Sequence, residues 1–557
     1  MKRTWWKEGV VYQIYPRSFK DSNGDGIGDL RGILEKVDYI ASLGVDIVWL
    51  NPIYESPNKD NGYDISDYEN IMREFGSLDD FDELLAAFHA RGIRLVMDLV
   101  VNHSSNEHPW FTESRSSRES PKRDYYIWKP GRNGGPPNRW EACFGGSAWE
   151  YDPGTGEYYL HLFTPEQPEL NWENPEMRHA VYAMMRRWFE RGVDGFRMDV
   201  ITLLSKDPSY RDLEPGEGMF APTAPYIYGP RLHEFIREMR REAIDGFDAM
   251  TVGEAPGTTI ENAVELVGED RGELDMAFQF ELMGVDYVAG DKWKQRPIDL
   301  VEFKTIIERW QVGMFGKAWN SNFLMNHDQP RSVSRFGDDR RYRVQSAKAL
   351  LALDLSLCGT PYVYQGEEIG MTNVAFPSIE EYRDIETLNY YRRAVEGGAA
   401  PERALASIHY MSRDNSRTPM QWDASRNAGF SGARPWIGLN PNYPELNVER
   451  AEADEDSVLH FLRRMIRFRK DHLCLVYGDF ELIARDDPAL FAYFRDDGSE
   501  RLLVAINMSS GEARLPADIA DARSLTRLAL LLSSAPRGAG RPADALMPWE
   551  ARVYKVG

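Results

Sequence analysis

Cysteine is nearly absent. Cys143, Cys358 and Cys474 lie far apart with no CxxC spacing, which excludes a disulfide framework and a zinc knuckle. Basic residues are also short: 66 Lys and Arg stand against 88 Asp and Glu, a formal net charge of −22. That balance argues against nucleic acid or an anionic membrane as partner, because both need a basic footprint. A neutral ligand such as a sugar is compatible with it. Long apolar runs are missing too. Ala349–Leu357 is broken by Asp354 and Leu528–Leu532 is very short, so neither can span a bilayer. Charges recur through Met1–Glu8 before an apolar stretch can form; no signal peptide and a cytoplasmic location are expected. No glycine-rich dinucleotide fingerprint follows the first apolar run, which removes the main support for a doubly wound sheet.

What is present is alternation. Short apolar runs occur at Val10–Tyr15, Ile47–Leu50, Leu95–Val100, Gly195–Met198, Met250–Val252, Met276–Phe280, Asn322–Met325 and Pro361–Tyr364. Amphipathic stretches such as Leu78–Ala90, Pro175–Arg191 and Arg341–Leu355 lie between them. Eight βα repeats predict an α/β fold, a TIM (β/α)8 barrel, over residues 1–103 and 174–477. The irregular, Trp-, Tyr-, Gly- and Pro-rich stretch 104–173 is too long for a plain loop and predicts a small inserted domain after the third strand. Short strands at Leu490–Phe494, Leu502–Asn507 and Arg552–Val556 predict a C-terminal antiparallel β-sandwich over 478–557.

Catalytic groups of such barrels project from the C-terminal ends of the strands. Here those ends are polar: Asp98-Leu99-Val100-Val101-Asn102-His103, then Arg197-Met198-Asp199, Gly253-Glu254 and Asn326-His327-Asp328. An Asp can cap the next helix and a histidine can be structural, but four strands delivering such groups to one rim point to chemistry. An Asp and a Glu facing one cavity suit glycoside hydrolysis, with one carboxylate attacking and the other carrying a proton. Arg197 lies two residues before Asp199, so on a strand the two side chains share a face. Its charge is expected to keep Asp199 ionised. Glu254 has no Arg or Lys close in sequence, which makes it the expected acid.

These segments resemble the four signature regions of the α-amylase superfamily of glycoside hydrolases. The resemblance implies Asp199 as nucleophile, Glu254 as general acid/base and Asp328 as transition-state stabiliser, with His103, Arg197 and His327 holding the sugar. The segments Asp60–Asp64, Gln167–Glu173, Tyr364–Asn373 and Arg413–Asp423 are similar to those of the oligo-1,6-glucosidase subfamily. By that likeness Asp60 and Arg413 close the pocket on the terminal glucose and make the enzyme exo-acting, Tyr63 and Phe163 form an apolar platform, and Gln167 joins the binding site. Val200, directly after Asp199, goes in this subfamily with α-1,6 linkages, whereas Ala or Thr goes with α-1,4. The expected substrates are isomaltose, panose and isomalto-oligosaccharides.

The run Asp21-Ser22-Asn23-Gly24-Asp25-Gly26-Ile27-Gly28-Asp29 matches the first half of an EF-hand loop, D-x-N-x-D-G. Position twelve is Gly32 rather than Glu, and a strand rather than a helix precedes it. A structural calcium loop without the EF-hand is expected, as in the resembling enzymes, with Asp21, Asn23, Asp25 and Asp29 side chains and the Ile27 carbonyl as ligands. No organic cofactor is expected.

Three other activities compete. An α-1,4-glucosidase would differ mainly at Val200. Sucrose isomerases tend to read Asn-His-Asp-Asn-Pro where this chain has Asn326-His327-Asp328-Gln329-Pro330. Non-catalytic, transporter-associated relatives need a membrane span and have generally lost the carboxylates. The partner expected is a small oligosaccharide, met by a monomer or small homo-oligomer.

Overall fold

The computed structural model describes residues 1–214, 220–221, 223–516, 519, 528–536 and 544–557. Eight strands form one parallel sheet: β1 (Val11–Ile14), β2 (Ile47–Leu50), β3 (Arg94–Leu99), β4 (Gly195–Met198), β5 (Met250–Glu254), β6 (Met276–Phe278), β7 (Ser321–Asn322) and β8 (Thr360–Tyr364). Their order, 6-5-4-3-2-1-8-7, is the cyclic order of the predicted (β/α)8 barrel. β1, β2, β4 and β8 are buried along their whole length, which is why they read as continuous apolar runs rather than alternating ones. The expected β7, Asn322–Met325, is displaced: only Ser321 and Asn322 pair, with Thr360 and Pro361. Beyond them Asn326 Oδ1 accepts from the Asp328 amide at 2.8 Å, so a local Asx turn replaces the ladder.

The chain divides into two compact units, 1–48, 281–383 and 398–557 in one, 49–280 and 384–397 in the other. In the second, β3, β4, β5 and β6 pair in register. The helices here start where local chemistry says they should. α1 (Leu78–His89) opens with a reciprocal Ser77/Asp80 capping box and buries Phe81, Leu84, Leu85 and Phe88 at helical spacing. α2 (Pro175–Arg191) has Asn174 as cap, Pro175 at its first position and left-handed Gly192 after its end. The inserted stretch carries a three-stranded antiparallel sheet of 128–129, 157–160 and 149–152. Its apolar core, with Trp140, Trp149 and Leu160, packs on Val200 and Leu203 just after β4.

In the first unit, β1, β8 and β7 pair. α3 (Arg343–Ser356) is buried on nearly every side, lying against α4 (Val458–Asp471) and the C-terminal sheet. That sheet is antiparallel, in the order β9 (Asp479–Ile483), β10 (Leu490–Asp496), β11 (Arg501–Asn507), β13 (Ala551–Val556), β12 (Leu528–Ser533). Leu490, Ala492 and Ala505 face Leu515 and Leu546 across a small core. β9 and β12 had no counterpart among the predicted strands.

Candidate active site

Two of the motif glycines are steric necessities. A Cβ on Gly195 would sit 2.2 Å from the Met250 carbonyl oxygen, and one on Gly253 2.6 Å from Leu274 Cδ1 and 2.7 Å from Ile201 Cγ2. Their absence lets β4 and β5 approach and sets the two strand ends side by side.

At those ends Arg197 gathers three carboxylates. Nη1 donates to Asp199 Oδ1 at 2.7 Å and to Asp98 Oδ1 at 2.9 Å, and Nη2 donates to Glu254 Oε2 at 2.6 Å. Arg197, Asp98 and Asp199 are buried, and Glu254 is partly buried at 13% exposed. Arg197 and Asp199 share a face, as the period-two spacing requires. The expectation that Glu254 lacks a nearby cation is overturned. Arg197 is remote in sequence, but it stands opposite Val252 in the β4–β5 register, so its fork spans to Glu254. Asp98 is a further member that motif reasoning left unassigned; it also accepts from Tyr63 Oη at 2.9 Å and Trp49 Nε1 at 3.2 Å.

Burial pushes the carboxyls of Asp199 and Asp98 up to about 6, against the pull of Arg197. A side-chain hydrogen bond with Glu254 further lowers Asp199. Two carboxyl groups can bond to each other only when one of them keeps a proton. One guanidinium cannot neutralise three buried anions, so a retained proton relieves the excess. The cluster can therefore present an anion beside an acid.

Around it the same unit collects most of the predicted sugar-binding residues. Tyr63 is 6% exposed and its ring lies 5.8 Å from the Arg197 guanidinium carbon. His103 Nε2 is 3.2 Å from the Tyr63 carbonyl, and the Phe163 ring lies 4.9 Å from the imidazole. Gln167 donates to Asp60 Oδ2 and to the Tyr63 carbonyl, both at 3.3 Å. Val200 sits at φ 34°, ψ 43°, left-handed backbone that a β-branched residue adopts only under strain. Its amide donates to Glu254 Oε2 at 3.2 Å.

In the other unit, Asp328 follows β7. His327 Nε2 lies 3.0 Å from its Oδ2, and Arg417 and Arg413 donate to its Oδ1 at 2.6 and 3.3 Å. Partial burial works against ionisation here, but His327, Arg413 and Arg417 outweigh it and hold the Asp328 carboxyl well below the usual range. Gln13 bonds the far nitrogen of His327 at 2.9 Å. Arg417 and Gln13 were not singled out from sequence; Arg417 stood unremarked inside the segment that supplied Arg413.

The 21–29 loop is held by its own hydrogen bonds. Asp21 accepts from Gly24, Gly26 and the Ser431 hydroxyl. Asn23 and Asp25 accept from the amides two residues on, and Asp29 caps the helix 30–35 through the Gly32 amide. Among the described residues no three His, Cys, Asp or Glu side chains gather closely enough to hold a metal.

The family description "Alpha amylase, catalytic domain" matches residues 13–478. This chain belongs to the α-amylase family of glycoside hydrolases. Over its full length this glycoside hydrolase is 55% identical to the oligo-1,6-glucosidase of Parageobacillus thermoglucosidasius, with all of both chains covered. The solved trehalose-6-phosphate hydrolase of Bacillus licheniformis matches at 47% identity and a TM-score of 0.92, and the isomaltulose synthase of Klebsiella sp. LX3 at 43% and 0.95, each covering all of both chains. No helix among the described residues of this hydrolase is long and apolar enough to cross a membrane.

Proposed function

We propose that the protein is an exo-acting, retaining α-glucosidase that hydrolyses α-1,6 linkages at the non-reducing end of isomaltose, panose and isomalto-oligosaccharides. The observation that carries this reading is the Arg197 fork, which holds Asp199 and Glu254 on its two arms. Two carboxyls on one planar fork favour the short spacing of a double displacement over the wider gap that must admit a water. Asp199 attacks the anomeric carbon while Glu254 gives its proton to the leaving oxygen. Glu254, now a base, takes a proton from water, and the water oxygen displaces Asp199. Asp328, held ionised by His327, Arg413 and Arg417, offers negative charge to the oxocarbenium-like transition state. Asp60, Tyr63, His103, Phe163, Gln167, His327 and Arg413 bind the terminal glucose. Val200, buried and left-handed beside Glu254, narrows the acceptor side, and the oligo-1,6-glucosidase relative supports the α-1,6 preference.

The trehalose-6-phosphate hydrolase relative raises a second reading. A phosphorylated sugar needs cations to spare, yet Arg197, Arg413 and Arg417 are all committed to carboxylates. That commitment favours an uncharged substrate. Initial rates on isomaltose, panose, maltose, sucrose and trehalose 6-phosphate test the assignment. Isomaltose is expected to give the highest kcat/KM of the disaccharides, and a lead for maltose or the phosphorylated sugar would refute it.

The same reading includes a structural calcium ion on the 21–29 loop. Its donors are all oxygen, which suits calcium; Asn23 Oδ1, Asp25 Oδ1 and Asp29 Oδ2 each accept from one amide and keep a second lone pair. It also includes a cytoplasmic location, in keeping with three cysteines that form no disulfide, and action as a monomer or small homo-oligomer.

A further inference from the structure

Behind His103 stand three buried polar residues to which the chemistry above gives no task. Lys206 Nζ meets Glu169 Oε2 at 2.5 Å, with side chains 3% and 0% exposed. Asn102 lies between this pair and the imidazole. Its Oδ1 accepts from Lys206 Nζ at 3.1 Å, and its Nδ2 donates to Glu169 Oε1 at 2.9 Å and faces His103 Nδ1 at 3.1 Å.

A buried ion pair of this kind is no bargain in stability, since desolvation offsets much of the attraction. Its effect here is orientational. An ammonium has only donors and a carboxylate only acceptors. Flipping the Asn102 amide would set its NH2 against Lys206 and its oxygen against Glu169. The amide is therefore locked with N–H toward His103 Nδ1. Nδ1 must accept, so the proton of the neutral ring sits on Nε2. Burial, helped by the Lys206 charge, pushes the imidazole down to about 3, so the ring stays neutral and the tautomer is its remaining choice. The other end agrees: the Tyr63 carbonyl, 3.2 Å from Nε2, can only accept. Gln167 Nε2, also 3.2 Å from His103 Nε2, donates to that same carbonyl, so the two nitrogens converge on one oxygen as co-donors.

We propose that the Lys206–Glu169 pair is a positioning device: by locking the Asn102 amide it selects the Nε2–H tautomer of His103, which ties the imidazole to the Tyr63 carbonyl and so fixes how His103 and Tyr63 are presented to the sugar. Lys206, Glu169 and Asn102 are positioning residues, acting through His103. The kinetic consequence rests on the reading that His103 faces the sugar; the tautomer does not. Lys206 also lines a cavity of about 300 Å³ together with Trp128, Asn171 and Tyr210, so its site can be reached from outside.

The test uses full-length enzyme with 15N-labelled histidine, the His103 signals being assigned by their loss in His103→Gln. The wild type is expected to show Nε2–H. Lys206→Met and Glu169→Gln are each expected to move His103 to the other tautomer or a mixture. The same variants should lower kcat/KM on isomaltose by about ten- to a hundredfold, the usual consequence of a misdirected buried donor. Lys206→Arg, which keeps a cation, should retain the tautomer. Lys206→Ala should recover activity with propylammonium, entering through the cavity, and not with 1-propanol. A wild type carrying Nδ1–H, or an unchanged tautomer in both neutral variants, overturns the proposal. Should Lys206→Met not fold, Glu169→Gln and the amine rescue decide. An enzyme inactive on isomaltose whose tautomer responds as described would refute the substrate assignment and uphold this one.

Discussion

Arg197→Gln removes the guanidinium that Asp98, Asp199 and Glu254 share. Breaking a buried ion pair by deleting one partner costs about 3–5 kcal/mol. At about 1.4 kcal/mol per pKa unit and spread over three carboxyls, that is roughly one unit each. With Asp199 at about 6 in the intact site, the proposed nucleophile is ionised above that pH and protonated below it. Activity of the wild type should therefore fall as pH drops through about 6. In the variant the group loses its cation, its pKa rises further, and the acid limb moves to about pH 7. The assay is kcat/KM on isomaltose against pH, which reports the free enzyme's groups. Activity at neutral pH should also fall by at least about a thousandfold, because the fork no longer orients Asp199 and Glu254. An acid limb left near pH 6 would refute the claim that Arg197 holds Asp199 in its anionic form.

Asp199→Asn should abolish turnover while leaving the melting temperature within a few degrees of wild type; wild-type-like rates would end its role as nucleophile. Val200→Ala should narrow the kcat/KM gap between isomaltose and maltose by no more than about 3 kcal/mol, the worth of small changes in apolar bulk, and an unchanged ratio would remove Val200 from specificity. Gly195→Ala should destabilise the fold by about 3 kcal/mol in urea unfolding, since its Cβ would meet the Met250 carbonyl oxygen at 2.2 Å; a neutral result would mean that β4 and β5 can part freely. Chelation should lower the melting temperature if the 21–29 loop holds calcium, and no shift on adding calcium back would count against the site.

Much of this protein is legible in one dimension. Buried strands announce themselves as apolar runs, and β2 and β4 begin and end where the run does. Caps and stop signals bound α2 to the residue, Asn174 before it and Gly192 after it. The proposed catalytic acids could be picked out because barrel strands end in them, and the spacing of Arg197 and Asp199 told that they share a face. What spacing cannot reveal is a partner one strand away. The bond from Arg197 to Glu254 depends on the β4–β5 register, and the bonds to Asp98 on β3–β4; sequence separation carries no information about either. The edge strand β12 was hidden for a different reason: its side chains are half-exposed on both faces, so no alternation marks it.

Local chemistry, then, determined which elements form and which residues stand at their ends. Only tertiary structure decided how charge is shared among them. Sequence alone assigned Arg197 to Asp199 and left Glu254 without a cation; strand pairing gave one guanidinium to three carboxyls. Through-space electrostatics acts over a few ångströms, and in a parallel sheet those ångströms separate residues that lie many positions apart along the chain.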